Sequence, residues 1–181
     1  MGCTVSSRRR SARAFRLASV LLWTLATALP LSGAALEAGD AAPEVAAASL
    51  DGSGATIRLS RLRGKVVYVD FWASWCGPCR QSMPALDSLY RRFGTRGFVV
   101  VGVNKDNSPQ DAKRFLKRLA VSFPLVADED DRLARAFEVR AMPSGYLVDR
   151  RGVVRHVHRG FEPGAAAELE RRVEDLLKEP A

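Results

Sequence analysis

The side chains best suited to chemistry are two thiols separated by two residues, Cys76 and Cys79 in Trp75-Cys76-Gly77-Pro78-Cys79. A pair at this spacing can close a disulfide and reopen it by thiol exchange. The pair falls where the continuous apolar run Lys65-Val66-Val67-Tyr68-Val69-Asp70-Phe71 gives way to helical periodicity. Cys76 is therefore expected at a helix N-terminus. Unpaired N–H groups and the positive end of the helix dipole there favour its thiolate, lowering its pKa from an ordinary value of about 8.5. Cys79, one turn further on, is expected to stay a sheltered thiol until needed. On this reading Cys76 attacks a disulfide and Cys79 resolves the mixed disulfide. Trp75, Gly77 and Pro78 around the reactive sulfur, with Met142 and Pro143, are the expected substrate-docking residues.

Other uses of the cysteines fit less well. A structural zinc site needs four ligands, and the remaining candidates, His156 and His158, alternate along one face of a predicted strand far along the chain. They read as ordinary strand residues rather than copper ligands. A purely structural disulfide closing a loop of two residues removes almost no unfolded-chain entropy and stabilises little. Redox chemistry is the better reading, and it requires no metal or organic cofactor. Asp70 stands out because it ends a buried strand. It is either an exposed strand-end aspartate or a buried acid whose raised pKa lets it exchange a proton with Cys79. Met142-Pro143 precedes another strand, where a cis proline would present the preceding backbone to a docking peptide.

The elements that must position these residues alternate between strand and helix. Val45 to Ser49 and Ala55 to Leu59 read as a hairpin around Asp51-Gly52-Ser53-Gly54, followed by the strand at 65–71. From Cys79, Met83, Leu86, Leu89, Tyr90 and Phe93 recur at helical spacing, with Pro84 as a kink and Gly94 as a stop. Phe98 to Val103 is a second buried strand, and Ser108-Pro109 caps a basic amphipathic helix bearing Ala112, Phe115, Leu116 and Leu119. A short strand at Pro124 to Ala127 leads into Asp128 to Asp131, acids that read as caps for a helix through Phe137 rather than as metal ligands. A hairpin (Tyr146 to Val148, Val153 to His158) and a helix carrying Leu169, Val173, Leu176 and Leu177 complete a mixed α/β sheet flanked by helices.

Of 181 residues, 47% are hydrophobic and 27% charged, which supports one folded domain and excludes wholesale disorder. Three cysteines are too few for a disulfide-stapled miniprotein. The formal charge of +8 misleads, because Arg8, Arg9, Arg10, Arg13 and Arg16 supply five positives before any acid. Nucleic acid is accordingly not an expected partner. No charge follows from Leu17 to Leu36, and the apolar stretch ends in Ser32-Gly33-Ala34-Ala35. This order reads as a signal peptide or N-terminal membrane anchor over residues 1–35, with one domain at 36–181 facing outward. A myristoylation pattern at Gly2 and a twin-arginine pattern at Arg8-Arg9 are weaker readings of the same segment. The expected location is the periplasm or cell envelope, soluble or tethered.

The segment Val69-Asp70-Phe71-Trp72-Ala73-Ser74-Trp75-Cys76-Gly77-Pro78-Cys79, with Pro84, resembles the active-site segment of thioredoxin. The wider frame, Gly39-Asp40-x-Ala42-Pro43, Leu59-Ser60-x-Leu62-x-Gly64-Lys65, Phe123-Pro124-Leu125 and Val139 through Asp149, resembles the exported TlpA/ResA-like thiol-disulfide oxidoreductases from Ala38 to Lys178. The resemblance implies a thioredoxin-like fold with an N-terminal β-hairpin and an inserted helix after the second central strand. It also implies Cys76 as surface nucleophile, Cys79 as resolving thiol, Pro143 as a cis-proline beside them, and a membrane thiol reductase as electron donor. Implied substrates are disulfides of envelope proteins, such as apocytochrome c or copper-site cysteines, and a monomer is expected. Asp70 stands where that group often carries asparagine, and Ser82 where it carries glutamate, so the site is closer to thioredoxin itself. Two alternatives remain: a redoxin-type peroxidase, whose T-x-x-C site the residues ahead of Cys76, Ser74 included, do not match, and a copper metallochaperone holding the ion between Cys76 and Cys79.

Overall fold

The computed structural model describes residues 1–2 and 35–180, so most of the expected signal peptide or anchor lies outside the described residues. The strand rich in β-branched residues is β3 (Val66–Trp72), and all seven of its residues are buried. Val67, Val69 and Phe71 join one apolar cluster, while Val66, Tyr68 and Trp72 join the other. The strand is therefore central and covered on both faces, as its unbroken apolar pattern requires. It is followed by α1 (Cys79–Phe93) and the parallel strand β4 (Phe98–Asn104). Then come α2 (Pro109–Leu116), β5 (Leu125–Ala127), α3 (Arg132–Ala136), β6 (Ser144–Val148), β7 (Val154–Arg159) and α4 (Ala165–Lys178). Ahead of β3, β1 (Ala46–Ala48) and β2 (Thr56–Arg58) form the expected hairpin as a separate two-stranded sheet.

The main sheet has the order β5-β4-β3-β6-β7. β3, β4 and β5 run parallel, whereas β6 and β7 are antiparallel to their neighbours. α2 is the helix inserted after the second central strand. Residues 39–50 engage strands at both ends of this order. Gly39 N–H donates to the Val154 carbonyl and Val154 N–H to the Asp40 carbonyl, while Leu50 N–H donates to the Leu125 carbonyl at 2.9 Å.

α1 ends at Phe93 with Gly94 as its C-cap residue, as expected, while α2 departs from expectation at both ends. Gly94 opens a 3-10 turn, and the left-handed residue that ends the helical path is Gly97, at φ +95°. α2 stops at Leu116, with Leu119 packed against the core from beyond the helix. Pro109 does start α2, but the Ser108 hydroxyl donates to Gln110 Oε1 instead of capping the backbone. The acids before α3 behave as caps through Asp128, which accepts from the N–H groups of Leu133 and Ala134, both at 2.8 Å.

One close approach lies along the ladder between β3 and β6. A Cβ added to Gly145 would lie 1.8 Å from the Tyr68 hydroxyl oxygen, and Tyr68 is itself buried. Gly145→Ala should therefore overpack this contact and cost about 1–3 kcal/mol, read as a lowered urea or thermal unfolding midpoint. An unchanged midpoint would mean that the phenol moves aside freely.

Candidate active site

β3 delivers the chain into a turn at residues 73–78 that carries the cysteines to the start of α1. Cys76 N–H donates to the Ala73 carbonyl at 3.1 Å. The helix begins at Cys79, so Cys76 sits just ahead of the first turn rather than inside it. Pro78 is the N-cap residue, and Ser82 N–H closes the first helical bond to its carbonyl. Cys76 and Cys79 are joined as a disulfide, their Cα atoms 5.3 Å apart. Cys79 N–H also points at Cys76 Sγ, at 3.2 Å. That donor and the helix end behind it stabilise negative charge on Cys76 once the disulfide opens.

The two sulfurs differ in access. Cys79 is fully buried, whereas Cys76 retains a small exposed area and borders a groove of about 410 Å³. Trp75, Gly77, Pro78 and Met142 line the same groove, and Trp75 is 67% exposed, unusual for so large an apolar side chain. Pro143 follows a cis peptide bond from Met142 but is buried, so Met142 is the member of that pair that borders the groove. Four of the five expected docking residues are thus brought together around Cys76. Arg140 and Lys105 complete a basic side of the groove. Lys105 is ion-paired with Asp131, and desolvation leads the influences that hold its ammonium below its ordinary pKa.

Asp70 resolves in favour of the buried reading, at 1% exposed. Along a strand every second residue shares a face, so Asp70 lies with Tyr68 and Trp72 on the side packed under α1, the helix that begins at Cys79. Its Oδ2 has no hydrogen-bond partner, and burial pushes its pKa up to about 8. That value is close to the ordinary value of a thiol, about 8.5, the match that proton exchange between them requires. His156 and His158 lie on β7, separated from β3 by β6.

Sequence reading missed the group that holds the turn in place. The buried Asp106 carboxylate accepts from Ser74 N–H at 3.1 Å, from Ser74 Oγ at 3.0 Å and from Asn104 Nδ2 at 2.9 Å. Lys105 N–H adds a bond to the Trp72 carbonyl at 2.8 Å. The available signal was the polar Asn104-Lys105-Asp106 directly after a β-branched strand. Parallel register brings Asn104 opposite Trp72, and hence this polar group beside the cysteine turn.

The Redoxin family model matches residues 37–176. The chain is 29% identical to the thiol-disulfide oxidoreductase ResA of Geobacillus kaustophilus, over 92% of this chain and 94% of that protein. It is 32% identical to ResA of Geobacillus thermodenitrificans, covering 70% and 71%. Among solved structures it superposes with a TM-score of 0.75 on a protein assigned as the thiol:disulfide interchange protein DsbE of Chlorobium tepidum, at 39% identity over 79% of this chain and 99% of that one. A cysteine pair at disulfide distance, set between a covered strand and a helix and opening on one side to a groove, gives these likenesses their chemical content. The chain belongs to the Redoxin family and is a thiol-disulfide oxidoreductase of the ResA-like, thioredoxin-fold kind.

Proposed function

We propose that the protein reduces disulfides of other proteins in the bacterial cell envelope, with Cys76 as nucleophile, Cys79 as resolving thiol and Asp70 as proton carrier. The observation that carries this reading is a buried carboxyl of raised pKa on the strand face under the helix that begins with the fully buried Cys79. The Cys76 thiolate attacks one sulfur of the substrate disulfide and expels the other as a thiolate. The ionised fraction of Asp70 then takes the Cys79 proton, and Cys79 attacks Cys76 Sγ and expels the second substrate sulfur as a thiolate. One proton from solvent and one passed on from Asp70 complete the substrate dithiol, and the Cys76–Cys79 disulfide remains. Two electrons from outside must recharge it, and a membrane thiol reductase is the donor that the family resemblance supports.

Trp75, Gly77, Pro78 and Met142 receive the substrate segment, with Pro143 fixing the backbone behind Met142. Location rests on the order of basic, apolar and small residues over residues 1–35. Among the described residues no helix is long and apolar enough to cross a membrane. Apocytochrome c and copper-site cysteines are the substrates that the resemblance supports, and the protein acts as a monomer.

Equilibration against glutathione, followed by Trp72 and Trp75 fluorescence, should give a reduction potential near that of thioredoxin, about −270 mV. A value near −120 mV would make the protein a disulfide donor instead. Cys76→Ser should abolish turnover on a reporter disulfide, while Cys79→Ser should accumulate a mixed disulfide at Cys76. Asp70→Asn should slow resolution by Cys79 about a hundredfold, measured by stopped flow; an unchanged rate removes the proton carrier from the mechanism. Asp70 also ties stability to pH. Its folded pKa is raised, so the native state holds a proton that the unfolded chain releases, and stability is lost as pH rises from about 4 through about 8. Asp70→Asn should thus match the wild type in urea unfolding near pH 4 and exceed it by on the order of 3–5 kcal/mol at pH 8.

A further inference from the structure

Tyr68 is the polar side chain of β3 that the reaction above leaves unused. It shares a strand face with Asp70 and belongs to the same buried cluster as Trp72, Cys76 and Cys79. Asp70 is flanked across both ladders by glycine, Gly102 on β4 and Gly145 on β6. Neither supplies a side chain, so the spaces beside the carboxyl are filled from elsewhere. At Gly102 the Leu125 side chain fills the position, 2.5 Å from where a Cβ would sit, with Phe123 and Trp72 Nε1 at 3.1 Å, and this buried indole N–H has no partner. At Gly145 the filler is the Tyr68 phenol, whose oxygen is 1.8 Å from the corresponding position. Tyr68 pairs with Leu147, so its ring leans diagonally along the sheet toward the residue that faces Asp70. Directly opposed Cβ positions lie about 4.5–5.5 Å apart, so a hydroxyl 1.8 Å from the Gly145 position lies within about 7 Å of the Asp70 Cβ.

We propose that Tyr68 is a positioning residue for proton transfer, its hydroxyl turning toward Asp70 when the carboxyl ionises and supplying the hydrogen bond that the buried anion otherwise lacks. The proposal rests on the reading of Asp70 as proton carrier and adds what makes its charged form accessible. Tyr68 keeps its own proton throughout. Burial, and to a lesser extent the neighbouring Asp70, push its pKa well above the ordinary phenol value. The acids on the helices packed over this face are engaged elsewhere: Asp87 of α1 by Arg91 and Ser122, Asp111 of α2 by Arg114. On α4, Glu168 meets Arg172, Glu170 and Glu174 meet Arg92, and Asp175 meets Lys178. Asp106, beyond β4, is held by Ser74 and Asn104. The cations of these helices, Arg80 and Lys113 among them, are exposed. On β7, His156 is in register with Leu147 and His158 with Gly145, so both share this face, and the buried His158 Nε2 is also without a partner. It stands one strand further out, beyond the phenol that fills the Gly145 position, and the phenol and the indole are the donors next to Asp70.

The test is the Asp70 carboxyl 13C shift followed against pH in the oxidised protein, assigned by the signal that Asp70→Asn removes. Tyr68→Phe keeps the ring and removes the hydroxyl; its Asp70 midpoint should rise by about one pH unit. The pH at which Cys79-dependent resolution reaches half its maximum should rise with it. Tyr68→Leu gives the same readout if the Phe variant does not fold. A midpoint that stays put, or falls, overturns the proposal. Because the titration is read directly, it is independent of turnover. If Asp70→Asn resolves at the wild-type rate, the carrier reading fails, whether or not Tyr68 moves the midpoint.

Discussion

A carboxyl inside a strand covered on both faces is an unfavourable thing to build, and much of this molecule is arranged around that constraint. Burial holds Asp70 neutral over most of the physiological range, and the room left by the flanking glycines is filled by the Tyr68 phenol on one side and by Leu125, Phe123 and the Trp72 indole on the other. The same burial that raises the acid's pKa brings it toward that of a thiol. A solvated aspartate in its place would be a weak base with nothing to exchange at neutral pH. The cost in stability and the match to a thiol thus come from one cause.

The elements flanking this acid divide the work. The strand and α1 place the sulfurs, and the polar group after β4 locks the turn between them through Asp106 and the Lys105 backbone. The loop before β6 brings Met142 to the far side of Cys76. Each contribution arrives at one end of the sheet. It is the end where the parallel strands β3 and β4 finish and where helix N-termini gather, a recurrent location for sites in α/β proteins.

Much of this could be read from residue order. β3 was legible because an unbroken β-branched run suits a strand covered on both faces, and the cysteine pair because its spacing permits a disulfide at a strand-to-helix junction. The capping role of Asp128 was legible from its place before a short apolar period. Whether Asp70 was buried was not legible: it was expected to end the strand, but β3 runs two residues further and pairs Asp70 on both sides. Asp106 was missed because its partner Ser74 is 32 residues away and only parallel register brings them together. The contact of Tyr68 with Gly145 likewise depends on a diagonal across two strands far apart in sequence. Helix ends slipped where local geometry intervened: the Ser108 hydroxyl donates to Gln110 Oε1 and accepts from no backbone N–H of α2.

The segment at 39–50 also limits how the molecule can meet others. β5, at one edge of the sheet, is three residues long, and its Leu125 carbonyl is already taken by the Leu50 N–H while Ser49 bridges to Val126. An incoming extended chain would find little backbone left there to copy. The strand edge is, in effect, hemmed by the protein's own leading segment. At this edge a partner would meet side chains rather than free backbone.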